Sequence, residues 1–218
     1  MLKESAQGFL ADFAPVAALR KQRDAGSETG YASTLWSQMV NMGWASILVP
    51  EAYGGLEFGH VGMGQIVEQT GRTLTPSPLF ASAILGVSAI NLAGTEQQKQ
   101  TLLGALAAGD LTTALAVDET AHHAPQQVTA SSVKQSDGSY QLQGSKTFVA
   151  DGSTADKLIV TARTSGADGD RHGISLFLVD REASGVDVQR IEMVDSRNYA
   201  AIHFNGVTVD AEALLGQE

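Results

Sequence analysis

The sequence predicts an α+β chain, an all-helical first half followed by an antiparallel β-sandwich or barrel. Three observations predict it. Up to about residue 110 the apolar residues recur at three- and four-residue steps; from Thr112 they recur at every second residue; and glycines, aspartates, serines and prolines cut the second half into short runs. Strands at such short intervals do not suit a parallel βαβ sheet, whose crossovers need helices. The change of period sets the expected domains at 1–110 and 111–218.

Taken in order, Leu2, Ala6, Phe9, Phe13, Val16 and Leu19 mark one apolar face of a first helix. Arg20, Lys21 and Arg23 sit in its last turn, where cations suit the helix dipole, and Gly26 follows. A second helix is expected over 31–42, with Leu35, Trp36, Met39 and Val40 inward, before Pro50 and Gly54-Gly55 break the pattern. Helices over 61–70 and 79–93 flank the proline-bearing "TPSP". Thr95 followed by Gln98 is a capping box, opening a helix to about Ala107 that Gly109-Asp110 closes.

The expected strands are "TTALAVDE", "VTASSVKQ", "SYQLQGSKTFVA", "KLIVTAR", "ISLFLVD", "VDVQRI", "AAIHFNG" and "VTVD". In "YQLQGSKTFVADGSTADKLIVTAR" two of these runs flank a turn of Asp151, Gly152, Ser153 and Thr154, which reads as a hairpin. Lys146, Thr147 and Phe148 crowd that turn, more chemistry than a turn requires.

The chain has 218 residues, 43% hydrophobic and 17% charged, enough for a substantial core. A net charge of -10 argues against a general nucleic-acid binder, while a local basic pocket for one anionic ligand stays open. The absence of cysteine excludes disulfides, thiolate catalysis and cysteine metal sites. The N-terminus lacks the order of a signal peptide, and the longest apolar-leaning run, 79–93, is too short to span a bilayer. The expectation is a cytoplasmic protein without a metal site.

Single motifs carry little. "GHVGMGQ" lacks the third glycine of a dinucleotide fingerprint and reads as a flexible helix entry, and no P-loop is present. His122-His123 lacks metal-ligand spacing and reads as a solvated loop. There is no GxSxG elbow. Asp118 and Glu119 read as a solvated strand end.

The order of the pieces resembles the acyl-CoA dehydrogenase family of flavoproteins. "LWSQMVNMGWASILVPEAYGGLEF", "AGTEQQKQTLLGALAAGDLTTALAVDE", "YQLQGSKTFVADGSTADKLIVTAR", "GISLFLVDREASGVDV" and "VTVDAEALLG" carry the likeness, which covers nearly the whole chain. It implies an N-terminal helical domain and a middle β-domain, with FAD as cofactor and an acyl-CoA thioester as substrate. The implied reaction removes an α-proton and passes the β-hydride to flavin, giving the trans-2-enoyl-CoA. Electron-transfer flavoprotein or a similar acceptor is implied as partner. The family's glutamate base belongs to a C-terminal helical domain that this sequence does not match, so no residue here inherits the catalytic role. The chain is expected to be part of a longer enzyme and, exposing surface that this domain covers in relatives, to self-associate as a dimer or larger species.

The same resemblance implies a cofactor side formed by Leu115, Val117, Asp118, His123, Ala124, Phe148, Val149 and Ala150. Phe148 falls at the usual tryptophan, which can stack on the flavin, and Ala150 at the usual threonine or serine. The family's L-T-E-P-G-A-G-S-D becomes "VDETAHHAP", with His123 and Ala124 at the glycine and serine and a carboxylate at Asp118 facing a ring that becomes anionic. These departures imply an alternative role, a non-catalytic subunit that has a degenerate flavin site and pairs with a complete partner.

Overall fold

Pro15 decides the first departure from the expected pattern. The single long N-terminal helix is two helices, α1 (Leu2–Phe13) and α2 (Val16–Asp24), because proline has no N–H for the helical ladder and clashes with the preceding turn. The buried face of α1 is Ala6 and Leu10, continued by Ala14, whereas Phe13 is exposed. The computed structural model describes residues 1–218. Helix α3 (Ser33–Asn41) buries Leu35, Trp36 and Met39 as expected, and ends at Gly43, whose φ of 78° any side chain would oppose. Helix α4 (Gly59–Thr73) packs on α1.

The predicted helix over 79–93 is wound in two ways. Leu79–Gly86 is π-helical and α5 (Val87–Ala93) is α-helical. Helix α6 (Glu96–Ala108) starts with both bonds of the Thr95–Gln98 capping box and stops at Gly109 in the left-handed conformation.

Seven strands follow: β1 (Thr113–Ala116), β2 (Ser131–Lys134), β3 (Tyr140–Ala150), β4 (Lys157–Arg163), β5 (Ile174–Asp180), β6 (Val186–Glu192) and β7 (Asn198–Val209). The runs read as "AAIHFNG" and "VTVD" are one strand, β7. The α+β class holds, and the strands form one mixed sheet in the order β1-β4-β2-β3-β7-β6, with β5 on β4; it departs from a purely antiparallel pattern only where β4 meets β1 and β2. β1 runs parallel to β4, Thr113 opposite Lys157 and Ala116 opposite Val160. The hairpin across Asp151–Thr154 is also corrected. β3 pairs with β2 and β7 while β4 pairs with β1, β5 and, at Arg163, β2, so the turn leads to a strand that β3 does not pair with. Alternating runs fix which face of a strand is buried, but not its neighbour.

Three apolar clusters hold the fold. One lies on one sheet face, around Tyr140, Phe177, Ile202 and Phe204; one lies among α1, α3 and α4, around Trp44 and Met39. The third joins the halves, with Val87, Ile90, Leu103 and Leu106 against Ile159 and Leu215. No helix is long and apolar enough to cross a membrane.

Candidate functional site

The end of β1, the loop after it and the middle of β3 meet at one place. Gly144 makes the approach possible: its φ is 135°, and a Cβ there would lie 2.7 Å from Ala130. Further along β3 the register with β7 shifts between Lys146 and Val149, and Phe148 sits in that irregularity with a φ of 50°. The Thr147 N–H donates to the Asp118 carbonyl at 2.7 Å, tying the loop to the residue before Phe148.

Lys146, one residue earlier, points inward. Its Nζ donates to Glu119 Oε1 at 2.7 Å, Thr161 Oγ1 at 2.8 Å and the Val117 carbonyl at 3.2 Å. Its side chain is wholly buried and that of Glu119 is 8% exposed, which corrects the reading of Glu119 as a solvated strand end. The Thr129 N–H donates to Glu119 Oε2 at 2.9 Å, the Thr129 hydroxyl donates to the same oxygen, and the Ala130 N–H donates to Oε1 at 3.0 Å. Burial pushes the Glu119 carboxyl up, but these donors and Lys146 together hold it below the usual carboxylate range. Burial draws Lys146 down while Glu119 favours its charge, and the ion pair is the state that satisfies both groups.

Asp118 does the opposite. Its carboxylate turns back into its own loop, where His123 Nδ1 lies 3.0 Å from both oxygens and the Ala124 N–H donates to Oδ1 at 3.2 Å. The imidazole is 72% exposed, so His123 lies at the surface as read, but with its ring held by Asp118. His122 is exposed.

The eight residues expected on the cofactor side thus divide. Val117, Asp118, His123 and Ala124 share the loop that Thr147 ties to β3, one residue before Phe148, and the Phe148 ring is 42% exposed. Leu115 packs instead against the cluster joining the two halves, and Val149 is buried in the sheet core. Ala150 is half-buried and lies opposite Tyr199. Sequence reasoning missed the Lys146–Glu119 pair, whose only sign was a lysine inside an otherwise alternating strand.

The donors on this face do not fit FAD. Flavin carbonyls, ring nitrogens and a pyrophosphate all call for N–H and O–H donors. Ala150 has no hydroxyl, the Ala124 N–H is spent on Asp118, and the Asp118 carboxylate adds an acceptor with negative charge. The Phe148 ring is the one feature suited to stacking.

Residues 1–110 match the acyl-CoA dehydrogenase N-terminal domain family, and residues 112–207 match its middle domain family. An acyl-CoA dehydrogenase of Bacillus subtilis (strain 168) is 28% identical over 224 residues, covering 100% of this chain and 58% of that protein. The crystal structure of the ChsE4-ChsE5 complex from Mycobacterium tuberculosis shares the fold, with a TM-score of 0.83 and 24% identity over 99% of this chain and 56% of that one. Acyl-CoA dehydrogenase complexed with FAD from Bacillus anthracis shares it also, with a TM-score of 0.83 and 24% identity over 100% of this chain and 38% of that one. This chain spans 24% to 58% of the length of the curated relatives it matches.

Proposed function

This chain belongs to the acyl-CoA dehydrogenase family, and on that premise we propose that it serves acyl-CoA oxidation as a dehydrogenase-like subunit beside a flavin-holding partner chain. The observation that carries this reading is the turn of the Asp118 carboxylate back into its own loop. Its carboxylate takes up the Ala124 N–H and His123 Nδ1, groups at the positions where the family presents a serine and a glycine to the cofactor. The loss of a hydroxyl at Ala150 supports it, as does a solved neighbour that is itself a complex of two chains.

On this reading the assembly oxidises an acyl-CoA thioester to the enoyl-CoA and passes electrons to electron-transfer flavoprotein or a similar acceptor. No proton or hydride step falls to a side chain of residues 1–218. The Lys146–Glu119 pair sets the path of the loop from Val117 to Ala130, and the loop and Phe148 form the face towards the partner.

A second reading, FAD held by this chain as part of a longer flavoenzyme, is favoured by the exposed ring of Phe148. An absorbance spectrum from about 300 to 550 nm separates the two, because stacking on Phe148 would shift a retained flavin band. The purified chain mixed with FAD and then desalted is expected to retain no band. A triple variant, Asp118→Thr, Ala124→Ser and Ala150→Thr, returns the hydroxyls and is expected to gain one. A shifted, retained band in the unaltered chain would transfer the function to the second reading.

A further inference from the structure

A cavity of about 370 Å³ opens between the α2–α3 loop and the β6–β7 turn, and none of the eight cofactor-side positions lines it. Its volume lies in the range of small-molecule sites, but only Leu19, Ile191 and Met193 of its lining are hydrophobic, which does not suit an acyl chain. Arg23, Arg190 and Arg197 all line it, and Glu192 is the single carboxylate among them. In a chain of net charge -10, three guanidinium groups on one cavity run against the overall balance.

The walls are tied together before any ligand arrives. Arg190 Nη1 donates to the Ser27 carbonyl at 3.1 Å, and Asn198 Nδ2 donates to the Thr29 carbonyl at 3.2 Å, latching the loop onto the turn. Arg23 donates to Asp24. The guanidinium of Arg197 donates to nothing: Asp151 feels its charge, but the two form no ion pair. Arg190 keeps its second terminal nitrogen free. Two planar donor sets thus remain unspent beside a third cation, the arrangement that recognises a tetrahedral oxyanion by paired hydrogen bonds.

We propose that this cleft binds a compact phosphate-bearing anion, a phosphate monoester or pyrophosphate group, with Arg197 as the principal contact and Arg190 as the second. Pyrophosphate is the probe, titrated by calorimetry into the full chain at low ionic strength, where charge-assisted contacts are least screened. One saturable site is expected. Arg197→Gln should weaken it about tenfold or more, the loss of one charged hydrogen-bonding group. Arg197→Lys should recover part of the loss, and Arg171→Gln, in the loop between β4 and β5, should leave the affinity unchanged. Because the Arg197 guanidinium makes no hydrogen bond or ion pair in the fold, its variants are expected to keep the wild-type circular dichroism spectrum. Absence of saturable binding by the unaltered chain, or equal binding by Arg197→Gln, would overturn the proposal.

Discussion

Asp118 and Glu119 are adjacent, of one charge, and have opposite fates. Glu119 turns inward to a fully buried lysine and accepts from two further backbone amides. Asp118 turns outward to a histidine exposed to solvent. The first pair sits where an unpaired charge is costly, so its partners are bound to each other. The second is open to water on its histidine side, where water competes for the bond. A carboxylate therefore says little about its worth until its surroundings are known.

The largest effect should come from breaking the buried pair. Lys146→Met leaves Glu119 as a lone carboxylate in the interior and is expected to cost about 3–5 kcal/mol, read as a lower urea midpoint. Adding Glu119→Gln should restore a good part of it. If the double variant is no more stable than the single one, the pair is not the cause.

Asp151 gives the next test, since it is an acid that lacks the partners Glu119 has. Burial pushes its carboxyl up to about 7, against the pull of Arg197. The folded chain then keeps a proton that the unfolded chain releases near pH 4. The stability from this group is complete below about pH 4 and is lost as pH rises through 7. Asp151→Asn should remove that slope, gaining on the order of 4 kcal/mol at pH 8 and little at pH 4. Asparagine also tolerates the φ of 57° at this position. An equal gain in stability from urea denaturation at both pH values would count against it.

The helical half offers a smaller contrast. Gln69 is buried with neither end of its amide partnered within the protein. Gln69→Met should raise stability by about 1 kcal/mol, because it removes an unsatisfied group at little change of volume. A loss of stability would mean that the amide is bonded after all. Smallest of all, Asp118→Ala should lower stability by less than about 1 kcal/mol in urea denaturation, as an exposed pair does.

Much of the fold could be read locally. Thr95 and Gln98 announced α6, because a capping box is completed within one turn. The runs 157–163 and 174–180 became β4 and β5 at the expected residues, because alternation is a property of the strand itself. The break at Pro15 was equally local but was overrun by the apolar period on either side of it. The candidate site was less legible: the sequence brought Phe148 and Asp118 into view through resemblance, yet did not show which way Asp118 points.

By itself, then, the sequence determined the element types, most of their limits and the family, since each depends on residues close together along the chain. Tertiary structure alone decided the parallel pairing of β1 with β4, the parting of β3 from β4, and the meeting of Lys146 with Glu119 across 27 positions. It also gathered Arg23, Arg190 and Arg197 on one cavity. The reason is physical: strand partners and buried charges are chosen by the free energy of the whole packed interior, and no local pattern carries that sum.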